Sequence, residues 1–296
     1  MDDQALFPPQ IIVEVKALAC ELPYHAKIPL SRFSISEIKQ EVIERGLVAK
    51  ISNATLWRWL NEDAIRPWRH RSWIFPRDPN FVQKANRTLD LYEGIWEGKP
   101  LKPDDFVISA DEKTSIQARV RIHETEGVSP NKPMKIEAEY KRGGALAYLA
   151  AWDVNRARIF GRCEMKTGIA PFNRLVSQVM SQEPYSSARR VFWIMDNGSS
   201  HRGSTCMERF RKNWPTIIPV HLPVHASWLN QIEIYFSVIQ RKVLTPNDFR
   251  SLNEVKERLL VFQDHYEKIA KPFEWKFTRK DLVNLMSKIS ENQDIL

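Results

Sequence analysis

The 296-residue sequence predicts a mixed α/β domain, a sheet covered by helices, behind an N-terminal helical module. Three observations point there. Apolar residues recur at helical spacing as far as residue 97. From Phe106 onward, short apolar runs of strand length take over, first in succession and then alternating with amphipathic stretches. Proline clusters divide the chain, one from Arg66-Pro67 to Pro79 and another from Gly98 to Pro103, and helices rarely run through such clusters. The expected parts are a helical module at 1–62, a basic Pro/Trp-rich linker and connecting helix at 63–104, the α/β domain at 105–245 and a C-terminal helical segment at 246–296.

In the first part, Ser34-Ile35-Ser36-Glu37 has the spacing of a capping box. Ile38, Val42 and Ile43 form the stripe of the helix that follows, and Gly46 stops it. Ser52 caps a second helix, with Ile51 and Leu56 spaced as a hydrophobic staple. Leu56, Trp59 and Leu60 are expected to face the first helix, and Asn53, Thr55 and Arg58 to face outward. Two short helices with a tight connection make either a helix-turn-helix, whose outward face enters the major groove, or an ordinary helical hairpin. The linker Arg66-Pro67-Trp68-Arg69-His70-Arg71-Ser72-Trp73 is basic and aromatic. Arg66, Arg69 and Arg71 are its candidate contacts to a nucleic-acid backbone; the alternative is a solvated linker packed by its tryptophans.

Phe81, Ala85, Leu89, Tyr92 and Trp96 predict a connecting helix over 81–97. Phe106 to Ala110 predicts a strand ending at Asp111. Ala147–Trp152 and Arg158–Gly161 predict a hairpin pair, and Phe172–Met180 an amphipathic helix. Val191–Met195 predicts a buried strand ending at Asp196. Met207–Trp214 predicts a helix, Ile217–Val220 a strand, and Ser227–Val243 one continuous helix. Leu252, Val255, Leu259 and Phe262 form a further helical stripe.

The chain carries a formal net charge of +8, which suits a polyanionic partner such as nucleic acid. Cys20, Cys163 and Cys206 are too scattered for a disulfide scaffold or a zinc site. They fit a reducing compartment, and no signal peptide or membrane-length apolar run is present, so a cytoplasmic protein is expected. No Gly-rich phosphate loop appears, so no nucleotide cofactor is expected.

Asp111 and Asp196 each close an apolar strand, where open α/β sheets place their chemistry; an aspartate there also serves simply to cap a turn. Glu233 lies four residues after Leu229 and three before Phe236. On one helix that spacing turns it toward the buried stripe, where a carboxylate needs a salt bridge or a metal. Three such carboxylates can hold two magnesium ions through oxygen ligands and promote an in-line displacement at phosphorus.

Three segments together resemble the transposases of insertion-sequence family six-thirty, relatives of mariner elements. They are Ala110-Asp111-Glu112-Lys113-Thr114-Ser115-Ile116-Gln117-Ala118, Met195-Asp196-Asn197-Gly198-Ser199-Ser200-His201, and His225-Ala226-Ser227-Trp228-Leu229-Asn230-Gln231-Ile232-Glu233. Pro272 to Thr278 is similar to the family's C-terminal signature. The resemblance implies an RNase H-like (retroviral-integrase-like) catalytic core over 105–245, with an N-terminal helix-turn-helix module and C-terminal helices. It makes Asp111, Asp196 and Glu233 the catalytic and metal-binding triad, with 36 residues between the last two. Asn197, His201, Ser227 and Asn230, inside the same segments, are carried as supporting residues. The implied activity is cut-and-paste DNA transposition: cleavage at the element's ends, then strand transfer into target DNA. The implied cofactor is two Mg2+ ions, replaceable by Mn2+. The implied partners are the terminal inverted repeats, target DNA and a second copy of the chain, at the bacterial nucleoid. Family members carry an additional helix-turn-helix before the one placed near 31–62, and the chain is expected to lack it, as a truncated copy or the downstream product of two reading frames. The competing expectations are a repurposed DNA-binding protein without catalysis and a nuclease that cuts RNA–DNA hybrids.

Overall fold

The computed structural model describes residues 7–70, 76–198 and 204–291. Two of the candidate residues, Arg71 and His201, lie outside the described residues. The chain divides into two compact units, Met1–Ile74 and Phe75–Leu296.

Among the described residues the first unit clusters three α-helices, α1 (Pro9–Cys20), α2 (Ile35–Glu44) and α3 (Asn53–Glu62), with a 3-10 turn Pro23–Ala26 after the first. Pro9 stands at the first position of α1, where its missing N–H is no loss. At α2 both halves of the capping box form: Ser34 Oγ accepts from Glu37 N at 3.4 Å, and Glu37 Oε2 accepts from Ser34 N at 2.6 Å. Gly46, at φ +72°, supplies the left-handed step after the helix. Ser52 Oγ caps α3 by accepting from Thr55 N at 3.0 Å, and the staple residues Ile51 and Leu56 are both buried. Val15 and Leu18 of α1, Ile38 and Val42 of α2, and Trp59 and Leu60 of α3 complete the core.

Thr55 departs from expectation. It is buried, at 6% exposure, with its hydroxyl 2.9 Å from Ser52 Oγ. The phase that buries Leu56 and Trp59 also carries Thr55 inward, and the cap satisfies its hydroxyl. Asn53 and Arg58 are exposed as expected.

In the second unit α4 (Phe81–Tyr92) is shorter than its apolar spacing predicts. Gly94, at φ +73°, ends it. Ile95–Trp96 then pairs with Lys99–Pro100 in a short ribbon, so Trp96 leaves the helix. Among the described residues five strands follow: β1 (Asp105–Val120), β2 (Lys141–Asp153), β3 (Ile159–Glu164), β4 (Arg190–Met195) and β5 (Ile217–His221). They form one mixed sheet in the order β3-β2-β1-β4-β5. The β1–β2 and β2–β3 pairs are antiparallel, the expected hairpin included. The β1–β4 and β4–β5 pairs are parallel.

Strand alternation sorts the sheet's side chains onto two cores. Phe106, Ile108, Ala110, Leu149 and Trp193 face α5 (Ile169–Met180) and Phe210 of α6 (Ser204–Asn213). Val107, Tyr148, Trp152, Phe192 and Ile194 face α4, α7 (Ile232–Lys242), α8 (Leu252–Glu267) and Leu282 of α9 (Arg279–Glu291). At the start of β1 the fully buried Asp105 carboxylate accepts from Arg190 Nε at 2.9 Å and Nη2 at 2.7 Å, tying β1 to β4.

Two expectations change here. β1 does not end at Asp111 but runs nine residues further, because β2 pairs with it as far as Val120. What does end nearby is the parallel pairing with β4, whose last partners are Ser109 and Ile194. The predicted helix Ser227–Val243 is also broken. A 3-10 turn, Ser227–Leu229, precedes α7, and Asn230 between them is extended at φ −85° and ψ 113°. Among the described residues no helix is long and apolar enough to cross a membrane.

Candidate active site

Alternation along β1 puts Val107, Ser109 and Asp111 on the face toward α7. Ser109 is fully buried, and Asp111 is 9% exposed. The break before α7 is fastened to this strand. Asn230 Nδ2 donates to Ala110 O at 3.1 Å and to Asp111 Oδ2 at 3.2 Å. Ser109 Oγ donates to Asn230 Oδ1 and accepts from Ile232 N at 2.9 Å. From α4, Tyr92 OH donates to Leu229 O at 2.8 Å and accepts from Gln231 N at 3.3 Å. Thus amides left orphaned at the start of α7 are satisfied by side chains from two other elements.

Asp196 directly follows β4, and its Oδ1 accepts from Gly198 N at 2.7 Å. Asn197 Nδ2 donates to Leu222 O at 2.6 Å, and His221 Nδ1 lies 3.4 Å from Asp196 O. These contacts anchor the Asp196 turn to the end of β5. Burial pushes the His221 imidazole below its ordinary range.

Burial pushes the Asp111 carboxyl up to about 7. Hydrogen bonds from Glu112 N and Asn230 oppose the rise, while the negative charges of Asp196 and Glu233 add to it. Asp111 therefore responds to both other candidate carboxylates. Glu233 is also raised, first by the protein around its carboxyl and then by Asp196, with Lys113 opposing.

Glu233 does not lie in the buried stripe. It is solvent-exposed in the first turn of α7, whose buried residues are Ile232, Tyr235, Phe236 and Ile239. The spacing from Leu229 misleads because Leu229 belongs to the separate 3-10 turn. Asp111 is the deeply buried carboxylate of the group.

Asn230, predicted as a supporting residue, is central to the arrangement, and Asn197 braces the Asp196 turn. Ser227 is exposed at the start of the 3-10 turn. Ser109 and Tyr92 were not singled out from the sequence. Ser109 could have been, since it lies two residues before Asp111 and so shares its strand face; the Tyr92 contact spans 137 residues and has no local signal. In the first unit, Arg66 and Arg69 are exposed beside Trp68, which packs on the three-helix core. Arg32, not foreseen, donates to Trp68 O at 2.9 Å and pairs with His70 at 3.1 Å.

Among the described residues, no three His, Cys, Asp or Glu side chains converge closely enough to hold one metal ion together. The donor chemistry is nevertheless that of a hard divalent cation. Asp111 is a buried carboxylate with two further carboxylates in its field and no cationic partner within ion-pair distance. A cation shared between Asp111 and either neighbour would remove the charge conflict.

No curated protein matches the chain. Solved structures do. The Mos1 mariner paired-end complex with Mn is 15% identical, with 90% of this chain and 78% of that chain covered and a TM-score of 0.51. A pre-cleavage Mos1 transpososome is 14% identical, covering 96% and 77%, with a TM-score of 0.53. The Mos1 paired-end complex with Mg is 12% identical, covering 96% and 80%, with a TM-score of 0.54. These likenesses place the sheet and its helices in the RNase H-like fold. The DDE superfamily endonuclease family matches residues 107–256, just over half of the chain and all of the segment carrying Asp111, Asp196 and Glu233, and the chain therefore belongs to the DDE superfamily endonucleases.

Proposed function

We propose that the chain is a DNA transposase related to insertion-sequence family six-thirty, in which Asp111, Asp196 and Glu233 hold two divalent metal ions and carry the cleavage and joining of DNA strands. The observation that carries this reading is the Asp111 carboxyl, buried and raised to about 7 with two other carboxylates in its field. A carboxylate in that setting is stabilised by a cation, and a family of endonucleases supplies the reason for one to be there.

When bound, magnesium or manganese supplies charge neutralisation at the scissile phosphate and activation of the attacking oxygen. The protein's own part is positioning. Asn230 and Glu112 N orient the Asp111 carboxylate through its two oxygens. Gly198 N orients Asp196, while Asn197 and His221 hold its turn. Glu233 approaches from α7 with its side chain free to reach ions and substrate, and Lys113 beside it offsets part of the negative charge.

The partners in this reading are the element's terminal inverted repeats and target DNA, bridged by a homodimer. Asn53 and Arg58 of a helix-turn-helix formed by α2 and α3 would meet base edges and backbone, with Arg66, Arg69 and Arg71 following the phosphates. The +8 charge supports a polyanionic partner. The deciding experiment is magnesium-dependent nicking of a duplex carrying the flanking repeat, with Glu233→Gln as control. Nicking by the natural chain alone is the expected result. Equal nicking by the variant would remove Glu233 from the triad, and no nicking by the natural chain under any divalent metal would reject the enzyme reading.

A further inference from the structure

Among the described residues, β1 has no strand beyond Ser109 on the side that β4 occupies, so its edge from Ala110 to Val120 leads away from Asp111 without a partner strand. Such edges are usually blunted or covered. Here Asn247 does part of this, donating from Nδ2 to Gln117 O at 2.7 Å and accepting at Oδ1 from Arg119 N at 3.2 Å. The stretch is also bent. The β1–β2 register slips between Lys113 and Ile116 and again between Gln117 and Arg119, and Ser115 sits in the left-handed region at φ 57°. Positive φ at a residue other than glycine, in a bulged strand near an active site, is the kind of strain that persists where it re-aims side chains.

Between this edge and the loop after α7 lies a cleft of about 420 Å³. Its cations are Lys113, Arg119 and Arg121, its neutral donors include Thr114, Ser115, Gln117, Gln240 and Asn247, and no carboxylate lines it. Arg121 is committed: it pairs with Asp248 at 3.8 Å and donates to Glu137 O at 2.7 Å. Arg119 lies over the Tyr140 ring at 4.9 Å, and its Nε is buried with no hydrogen-bond partner. Among the described residues, neither Lys113 nor Arg119 has a carboxylate within ion-pair distance. Two cations without carboxylate partners, beside neutral donors, form a site for anions whose charge is spread over several oxygens. Lys113 also links the cleft to the candidate site, through its field on Glu233.

We infer that this cleft is a phosphodiester subsite: Lys113 and Arg119 each hold one of two backbone phosphates of the DNA strand that passes Asp111 and Glu233, setting which linkage lies over the carboxylates. The inference rests on the reading of the chain as a DNA-acting enzyme, but binding tests it without catalysis. Each phosphate contact contributes about 0.9 to the slope of log Kd against log salt on duplex DNA.

The test uses the full chain without divalent metal and a fluorescent duplex end, with Kd measured across a salt series. Lys113→Gln and Arg119→Gln are expected to weaken binding roughly five- to tenfold at low salt and to lower the slope by about 0.9 each, with Arg119→Lys restoring it. Duplexes with one neutral methylphosphonate linkage at successive positions then locate the contact. One position should weaken the natural chain by the same factor as Arg119→Gln, and should leave that variant unaffected. Natural-like slopes in both glutamine variants, or a methylphosphonate effect that adds fully to Arg119→Gln, would overturn the subsite. Weakened binding with an unchanged melting midpoint supports it, whereas weakened binding not restored by Arg119→Lys counts against it. If the natural chain binds with the expected slope yet never nicks DNA with magnesium, the enzyme reading fails while the subsite stands.

Discussion

Replacing Asp111 by Asn should stabilise the metal-free protein at pH 8. The folded carboxyl is raised from an ordinary 3.8 to about 7. Below about pH 4 the carboxyl is protonated in both folded and unfolded chains, and it contributes no difference. As pH rises from 4 to 7 the unfolded chain releases its proton first, so the folded state loses stability, and the deficit is complete above 7. At about 1.4 kcal/mol per tenfold, the full deficit is roughly 4 kcal/mol, an upper bound because side chains and water relax around the charge. Asparagine removes the charge, but it can serve as acceptor for only one of the two donors, Glu112 N and Asn230 Nδ2. That loss is about 1 kcal/mol. A net gain of about 2 kcal/mol at pH 8 should raise the melting midpoint by roughly 4–8 °C in a protein of this size. At pH 5 the deficit is about 1.5 kcal/mol, nearly cancelled by the lost hydrogen bond, so the two proteins should melt together. Magnesium or manganese should raise the midpoint of the natural chain at pH 8 and raise the variant's much less. Thermal melts followed by tryptophan fluorescence at pH 5 and 8, with and without metal, give all four comparisons. A variant that melts at or below the natural chain at pH 8 would show that Asp111 is not an uncompensated buried charge, and would remove the main support for a cation there.

Glu233→Gln should leave metal-free stability within about 0.5 kcal/mol, since the residue is exposed, while reducing DNA nicking at least a hundredfold; gel assays and denaturant melts on one preparation separate the two effects. Asn230→Ala should destabilise by about 2–3 kcal/mol in urea unfolding, because it leaves Ala110 O and Ser109 Oγ without their buried partner; a change below 0.5 kcal/mol would mean the strand and helix are not joined through this residue. Asp105 behaves oppositely to Asp111: its bonds from Arg190 hold its carboxyl below the ordinary range. Its stabilisation is present above pH 4 and disappears as pH falls through the lower folded value. Asp105→Asn should therefore lose about 3 kcal/mol at pH 7 and much less near pH 2; a deficit that does not shrink with acidification would contradict the ion-pair assignment.

What the sequence revealed depended on how local the determinant is. Ser34 and Ser52 cap the helices they were expected to cap, because a cap is written within four residues. The strand runs before Asp111 and Asp196 were visible because both faces of those strands are buried, which leaves an unbroken apolar run. The extent of β1 was not visible. Its polar half, from Glu112 to Val120, is held in the sheet by β2 rather than by its own pattern. The break at Asn230 was hidden for a similar reason: helical spacing continues through Leu229 and Ile232, while the bonds that interrupt it come from Ser109 and Tyr92. That hidden break is why Glu233, expected along the buried stripe, is exposed. The inward turn of Thr55 depended on a hydroxyl pair with Ser52 that apolar periodicity does not register.

The fastening of α7 to β1 has a mechanical consequence. Because Ile232 N is bonded to Ser109 and Asn230 to the strand next to Asp111, the root of the helix bearing Glu233 travels with the strand bearing Asp111. Repulsion between the carboxylates cannot be relieved by sliding the helix away without breaking several buried hydrogen bonds. It can be relieved only at the tip, by rotation of the exposed Glu233 side chain. Under the proposed function the pair would work as a vice with one fixed jaw, Asp111, and one jaw on a swivel, Glu233, able to admit a strand and close on it while the frame stays still.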